Sequence, residues 1–323
     1  MSKEAIAAAQ RFNEAAPPAQ TALNRALVFA VARGQAEKAA ALLKEGANPD
    51  WCGSRYKKSL LQVAALHGHK DVVLTLLDAG ANPNIQDTIG RTALFETLRN
   101  DALDIARLLL EAKADPNLRM KSGLSPAAWP VIRNHCGMID QLLACGLDLT
   151  ARDEEDRTLL FRAGLRNLSA MRKLLAAGAK IDDVNNLKQT PLAHCADNQL
   201  VRHMLLLIRK GSAVDTRDYE GNTPLNRASR WGHIRAVKVL LRHGAHTDAP
   251  NDEGVTPMQS AVLRLEQVKQ FPAAQKYTEE LAAAQAVLSA LEAAHEKNLV
   301  CPFREGTNRA IFAMKSLQLK MKA

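Results

Sequence analysis

The chain has 323 residues, too many for one compact core of ordinary size, which leaves two or three domains or one elongated repeat architecture. Apolar residues make up 47% of it and aromatic residues only 4%, a composition that suits closely packed helices better than a β-sandwich. No run of 18 apolar residues occurs, which excludes a transmembrane helix. The net charge of +9 lies mainly in the later part of the chain, where residues 151–250 carry 17 basic and 11 acidic residues.

The first predicted element is a short amphipathic helix over 3–16, within an N-terminal capping segment at 1–21 that ends in two prolines. Arg11 and Glu14 stand where a signal peptide would be apolar, so we expect a cytoplasmic protein. The sequence also leaves export by a specialised secretion system open. The five cysteines form no CxxC pair, which predicts reduced thiols.

An internal repeat organises the chain from about residue 22 onward. Two registers recur every 32 to 34 residues, and together they are very improbable by chance. The first register is Arg25, Ser59, Thr92, Ser125, Thr158, Thr190, Thr223 and Thr256, and the second is Gly46, Gly80, Lys113, Gly146, Gly178, Gly211 and Gly244. We number the repeats 1 to 8 by the first register, and each repeat includes the loop residues just before its register residue, so that repeat 7 runs from Asp218 to Asp248.

Each repeat is predicted to form a helix, a turn, a second helix and an extended loop. In repeat 7, Thr223 occupies an N-cap position and Pro224 the first helical position, where its missing N–H removes no hydrogen bond. Gly232 makes the turn, and Gly244 ends the second helix in the left-handed conformation that glycine tolerates.

The best repeats resemble the ankyrin repeat family. TPLNRASRWGH at 223–233 with LLRHGA at 240–245 matches the family pattern, and SLLQVAALHGH at 59–69 is nearly as good. The resemblance covers about 22–262. It implies an all-α solenoid of about eight helix-turn-helix units with helical caps, in which hairpin loops and first helices form one concave binding face. The sequence divides into seven repeats at 22–250 and an eighth repeat with a long capping helix at 251–296.

Several positions depart from the family pattern. The histidine that the family carries at the fourth position of its T-P-L-H tetrapeptide is replaced throughout, for example by Gln62, Asn226 and Gln259, so we expect its hydrogen-bond network to be missing. Repeat 5 is one residue short, either in its turn or in its second helix. Pro130 falls inside the first helix of repeat 4, where it should remove a bond and bend the helix.

The C-terminal part is predicted to close the stack. The first helix of repeat 8 runs on to about Gln270, and a capping helix over roughly 273–296 follows, with Leu281, Leu288, Leu291 and His295 on one face. The basic tail at 297–323 could fold back on the last repeat, dock elsewhere or lie on a membrane surface.

Three columns of first-helix residues face the concave side by resemblance to ankyrin repeats, and we call them together the first-helix face. They are the residues four, seven and eight positions after the first register. Arginine and tryptophan are typical interface anchors, so we predict partner contacts here and at the loop tips. The predicted contact residues are Arg133, Arg162, Arg166, Arg227, Arg230, Trp231, His67, Arg99, Trp129 and Tyr219.

Neither a metal site nor a catalytic site is predicted. The histidines lack metal-ligand spacing, and His69 and His233 are explained as turn residues of the repeat. There is no phosphate-binding glycine loop and no nucleophile elbow. We therefore expect no cofactor and no enzyme activity.

The sequence favours a non-catalytic module that binds an acidic or mixed-charge protein and acts as an adaptor, inhibitor or scaffold. A nucleic-acid-binding protein that uses the later basic repeats is the alternative, against which acidic loop residues such as Glu154 and Glu220 would repel phosphate. The alanine- and arginine-rich composition hints at a bacterial source, in which a host-directed secreted effector is a further alternative. The oligomeric state is left open.

Overall fold

The computed structural model describes residues 18–52, 57–164, 167–269 and 275–299. Within these ranges the chain forms α-helices and no strands. The helices are α1 (Pro18–Ala32), α2 (Ala36–Lys44), α3 (Leu60–His67), α4 (Lys70–Asp78), α5 (Ala93–Arg99), α6 (Leu103–Glu111), α7 (Ala128–Arg133), α8 (Cys136–Ala144), α9 (Leu159–Gly164), α10 (Leu168–Ala176), α11 (Pro191–Asp197), α12 (Val201–Arg209), α13 (Pro224–Arg230), α14 (Ile234–Arg242), α15 (Pro257–Lys269) and α16 (Gln275–Leu299). The odd-numbered helices α1 to α15 are the first helices of the repeats, and the even-numbered helices α2 to α14 are the second helices.

Hydroxyl caps start the first helices of repeats 2, 3, 6 and 7, as the first register predicts. The side chains of Ser59, Thr92, Thr190 and Thr223 each accept a hydrogen bond from the backbone N–H three residues later. The second register also has a local cause, because all of its members have positive φ. Even Lys113, its one residue that is not glycine, has a φ of 62°.

The chain divides into two compact units, an N-terminal unit up to Asn186 and a C-terminal unit from Leu187. Within each unit, every first helix packs against its own second helix and against the first helix of the next repeat, and the second helices follow the same order. The core consists mainly of leucine and alanine, such as Leu94, Ala106 and Leu109 in the N-terminal unit and Leu225, Ala228 and Leu240 in the C-terminal unit. Small side chains let neighbouring helices approach closely, as the composition predicts.

The irregular repeats lie in the N-terminal unit, and the structure locates their defects. In repeat 5, α10 keeps the nine residues of the other second helices, and its N-cap Asn167 comes nine residues after Thr158 instead of the usual ten. The missing residue therefore lies before α10, between Thr158 and Asn167. In repeat 4, α7 begins only at Ala128, so Pro130 falls in its first turn, where an N–H has no intrahelical partner. Pro130 shortens the helix at its start, whereas we expected a bend in the interior.

The expected loss of a hydrogen-bond network at the fourth position of the tetrapeptide is wrong in three repeats. The Oε1 atom of Gln62 accepts from the N–H of Ser59, and its Nε2 donates to the carbonyl of Arg91 in the next repeat. Asn226 does the same between Thr223 and Val255. In repeat 8, Gln259 accepts from the N–H of Thr256 at 2.8 Å. An amide offers both a donor and an acceptor, so it can replace histidine here.

At the C-terminal end, α16 packs against α13, α14 and α15. Its buried side chains are Ala284, Val287 and Leu291, and the predicted Leu281 and Leu288 are only half-buried. An ion pair between Arg264 and Glu280, with 3.0 Å from Nη2 to Oε2, fixes α16 to α15. The predicted helix at 3–16 and the tail beyond 299 lie outside the described residues.

Candidate functional site

Arg133 occupies the last column of the first-helix face in the N-terminal unit. Its Nη1 and Nη2 donate to the carbonyl oxygens of Leu98 and Arg99, at 2.8 and 2.7 Å, and so satisfy the C-terminal end of α5 in the preceding repeat. The guanidinium also lies over the ring of Trp129, 5.3 Å from its centroid. Arg133 therefore joins two repeats, although it remains exposed enough to touch a partner.

Arg99 is held by a buried acid. Glu96 is fully buried, and its two carboxylate oxygens lie 3.1 Å from Nη1 of Arg91 and 2.7 Å from Nη2 of Arg99. Neither contact is aligned as a hydrogen bond, so they act as charge pairs. Arg91 also pairs with Asp87, 2.9 Å away. The charge of Arg99 is thus largely matched within its own repeat.

The charge of Arg162 is likewise neutralised by an acid of its own repeat. Its Nη2 donates to Oδ2 of Asp153 at 2.6 Å, and Arg157 binds the same oxygen at 3.1 Å. Burial acts to raise the pKa of Asp153, but hydrogen bonds from the backbone of Arg157 and the guanidinium of Arg162 outweigh it and hold that pKa below its ordinary value. A cavity of about 10 Å³ beside these groups is lined by Thr158, whose buried hydroxyl has no hydrogen-bond partner within the described structure. This space suits one water molecule.

Arg227 in the C-terminal unit has the most complete set of partners. Its Nε and Nη2 bind Asp197 at 2.7 Å, and its Nη1 binds Oδ2 of Asp218 at 2.7 Å. Burial acts to lower the pKa of Arg227, but the bonds to both carboxylates raise it above its ordinary value. Asp218 belongs to the loop of the same repeat, whereas Asp197 ends α11 of the preceding one.

Asp153 and Asp218 stand at the same position of the repeat, nine residues before Arg162 and Arg227. In each, Oδ1 accepts two backbone N–H groups of the loop and Oδ2 accepts the arginine. The carboxylate therefore fixes the loop and also neutralises the arginine on the first helix that follows. The arginines at this column are chiefly structural, which the sequence count of positive charge did not show.

Other predicted contact residues are exposed and have few internal bonds. Trp231 is 52% exposed at the end of α13, and Arg230 beside it is exposed and forms no ion pair with another described residue. Tyr219 is 71% exposed at a loop tip, where the Nζ of Lys188 lies 5.7 Å from its ring centroid. These residues are the most accessible anchors in the C-terminal unit.

In the N-terminal unit, His67 is exposed and stacks on His69 with ring centroids 5.7 Å apart. His69 in turn contacts the carbonyl of Ala32 through Nε2 at 3.3 Å, and His233 contacts that of Ala196 through Nδ1 at 3.1 Å. The turn histidines thus join repeats, as the pattern indicates. Arg166 lies outside the described residues, so its predicted contact role stays a prediction.

Three accessible apolar residues of the first-helix face were missing from the predicted contact set. Phe29 is 65% exposed, Leu263 is 50% exposed and Ile132 is 37% exposed, each in one of the three columns. An apolar residue in a column of exposed positions was the signal, and it was present in the sequence. Leu263 follows Arg230 by one repeat in the same column.

The described ranges contain no group of three or more His, Cys, Asp or Glu residues that could hold a metal ion. Among the same residues, no helix is long and apolar enough to cross a membrane. No disulfide joins the described cysteines, Cys52, Cys136, Cys145 and Cys195. Burial raises the pKa of Cys195 to about 12, which leaves it unreactive as a nucleophile.

A family model described as "Ankyrin repeats (3 copies)" matches residues 9–87, 79–153, 159–251 and 198–270. The chain therefore belongs to the ankyrin repeat family. It is similar to neurogenic locus notch homolog protein 1 of Danio rerio, with 32% identity over 149 residues, and to that of Homo sapiens, with 33% identity over 140 residues. The matches cover 46% and 43% of this chain but 6% of each relative.

A solved structure confirms the fold class. The ankyrin repeat domain of Bcl-3, described as a unique member of the IkappaB protein family, superposes with a TM-score of 0.56. The match covers 83% of this chain and 97% of that domain at 22% identity. The all-α ankyrin-repeat solenoid predicted from the two registers is thus confirmed, and the family is one of protein-interaction modules.

Proposed function

We propose that this chain is a non-catalytic module that binds a partner protein on the first-helix face of its C-terminal unit, and that it acts there as an adaptor, inhibitor or scaffold. The observation that carries the proposal is the exposure of Trp231, with half of its side chain free beside the exposed Arg230. Leu263 extends this surface into the next repeat, since α13 packs on α15. Tryptophan and arginine in such a setting are typical energetic centres of interfaces.

The charges of this face favour a mixed-charge partner with an apolar anchor. Arg227 is already matched by two carboxylates, and Arg264 by Glu280. The field of the face is therefore weaker than its arginine content indicates, and a highly charged polyanion gains little from it. This favours protein over nucleic acid as the ligand of the first-helix face. A cytoplasmic location and the role of a bacterial host-directed effector are finer proposals that rest on the sequence alone.

The test compares two double variants of the whole protein. The partner is first identified by capture from native lysate, and its affinity is then measured by calorimetry. Arg230→Ala with Trp231→Ala should weaken binding by about 2 kcal/mol or more, which is roughly 30-fold. The matched control is Arg107→Ala with Leu74→Ala, an exposed cation and a partly exposed apolar residue on second helices of the N-terminal unit.

The control should keep full affinity, and both variants should unfold at nearly the wild-type temperature, because exposed substitutions change stability by less than about 0.5 kcal/mol. Unchanged affinity in the Arg230/Trp231 variant would show that the partner binds elsewhere. Tight binding of random duplex DNA that weakens steeply with salt and is lost in the same variant would favour the nucleic-acid alternative.

A further inference from the structure

A second surface of the C-terminal unit lies on its second helices. The exposed sides of α12 and α14 carry only positive charge, and neither helix contains an acidic residue. We call this surface the basic outer face, defined by Arg202, Arg209, Lys210, Arg235, Lys238 and Arg242, all of which are exposed. The second helices α2, α4 and α6 of the N-terminal unit each carry both signs of charge.

The cations of the basic outer face have no acidic partners among the residues that the structure describes. Within the described ranges, none of the six forms an ion pair or a side-chain hydrogen bond, although α16, with Glu292 and Glu296, packs beside α14. The neighbouring acid Asp215 is engaged by His246, with 2.6 Å from Oδ2 to Nδ1. Arg162 and Arg227 of the first-helix face, by contrast, are matched by Asp153, Asp197 and Asp218. The unmatched charge of this unit is therefore concentrated on its second helices.

The repeat places these cations in a regular array. Counted from the first-register residues Thr190 and Thr223, Arg202 and Arg235 each lie twelve residues further on, and Arg209 and Arg242 nineteen. Because α12 packs against α14, equivalent residues stand side by side at the usual helix separation of about 8–10 Å. Along each helix, seven residues span about 10.5 Å. The four arginines thus mark the corners of a square about 10 Å on each side.

Apolar surface lies between the charges. Leu205, Leu206 and Ile208 of α12 and Leu241 of α14 are half-buried, so part of each side chain remains accessible. No aromatic residue stands on either helix to stack with a nucleic-acid base. Phosphate polymers make no use of small apolar strips between cations. A lipid surface uses apolar side chains that insert below the headgroups, and neither helix carries an exposed large apolar side chain. A peptide that carries both carboxylates and aliphatic side chains uses both features.

We propose that the basic outer face is a second docking surface, separate from the first-helix face, and that it binds an acidic amphipathic α-helix of a partner protein. Glutamates at positions i and i+7 of such a helix recur every 10.5 Å or so on one side, the same separation as the arginines along α12 and α14. Arginine forks bind carboxylates in bidentate pairs. Leucines beside the glutamates contact the accessible parts of Leu205 and Leu241.

The test uses defined probes and the whole protein. The main probe is a fluorescent helical peptide of 21 residues with glutamates at i, i+3 and i+7 and leucines beside them. A second peptide of the same composition, with its glutamates spread around the helix, is the control for net charge. The other probes are a 20-base-pair random duplex DNA and phosphatidylcholine vesicles with 30% phosphatidylserine. Affinities are measured by anisotropy or sedimentation at two salt concentrations.

The variant Arg202→Gln, Arg235→Gln, Arg242→Gln is compared with Lys38→Gln, Lys70→Gln, Arg107→Gln, which removes the same charge from exposed second-helix positions of the N-terminal unit. The proposal expects the patterned peptide to bind more tightly than every other probe, and the first variant to weaken it tenfold or more. The second variant should weaken it less than twofold.

Equal binding of both peptides, tighter binding of DNA or vesicles, or equal effects of the two variants would each overturn the proposal. Thermal unfolding of both variants checks that the fold is kept. Since the Arg230/Trp231 variant leaves the basic outer face intact, it should bind the patterned peptide as the wild type does. The failure of this inference is thereby distinguishable from failure of the proposed function.

Discussion

The side chain of Asn226 donates from Nδ2 to the carbonyl oxygen of Val255, 3.0 Å away, and so joins repeat 7 to repeat 8. Its Oδ1 accepts from the backbone N–H of Thr223 at 3.2 Å. One buried amide therefore caps its own helix and bonds the next loop.

We expect Asn226→Ala to lower the free energy of unfolding by about 1–3 kcal/mol, since it leaves the buried N–H of Thr223 without its acceptor and removes one of the two hydrogen bonds to the carbonyl of Val255. Urea unfolding followed by circular dichroism measures the change. Gln259→Ala is the matched control, because Gln259 makes the same capping contact but is exposed, and its loss should be smaller. Equal losses in the two variants would contradict the importance of the link to Val255.

Substitution of Arg227 tests whether the paired arginines of the first helices stabilise the fold. Arg227→Met removes the cation from the largely buried carboxylates of Asp197 and Asp218, and should cost about 2 kcal/mol or more of unfolding free energy. Arg230→Met, three residues along the same helix and exposed, should change stability by less than about 0.5 kcal/mol. Adding Asp218→Asn to Arg227→Met should recover part of the loss. No recovery would mean that the buried charge is not its cause.

His203 predicts a pH dependence of stability. It is 6% exposed on α12, its Nε2 has no hydrogen-bond partner within the described structure, and burial holds its pKa below the ordinary value of 6.5. The folded state therefore binds this proton less readily than the unfolded state, so the contribution of His203 is complete above pH 6.5 and declines as the pH falls below it. The melting temperature should fall between pH 7.5 and 5.5, and His203→Asn should remove part of that fall. An identical pH profile in the variant would contradict this assignment.

The helix α16 should be required to cover the last repeat. Val287 is fully buried, and Ala286 next to it is exposed. Val287→Asp should therefore lower the melting temperature and the solubility, because it places a charge in an apolar contact, whereas Ala286→Asp should have little effect. Truncation after Val268 should have the stronger effect of the same kind. A truncated chain as soluble and heat-resistant as the whole protein would show that α16 is not a cap.

The sequence predicted the architecture well because two registers with one period leave few alternatives. N-caps such as Thr223 and positive-φ positions such as Lys113 act locally, within a few residues, and can be read without knowing the packing. Which arginines of the first-helix face are paired with acids could not be predicted in this way. Asp197 and Arg227 stand 30 residues apart, and only the stacking of repeats brings them together.

Part of the pairing was nevertheless accessible. An aspartate nine residues before an arginine recurs in repeats 5 and 7, as Asp153 with Arg162 and Asp218 with Arg227. Reading columns of first-helix residues alone missed this relation, because the loop position was treated separately. The amide substitutes for histidine were missed for a similar reason: they were compared with the family residue rather than by their donors and acceptors.

If repeat 7 were transplanted into another protein, only one of the two carboxylates that bind Arg227 would be transferred with it. Asp218 lies in the same repeat and would accompany Arg227 into any host array. Asp197 belongs to the preceding repeat, so a transplanted repeat 7 keeps both bonds only when its new neighbour offers an acid at the end of its first helix. Repeat 7 thus supplies one carboxylate from its own loop but needs the second from the repeat before it. This requirement limits the order in which such repeats can be recombined.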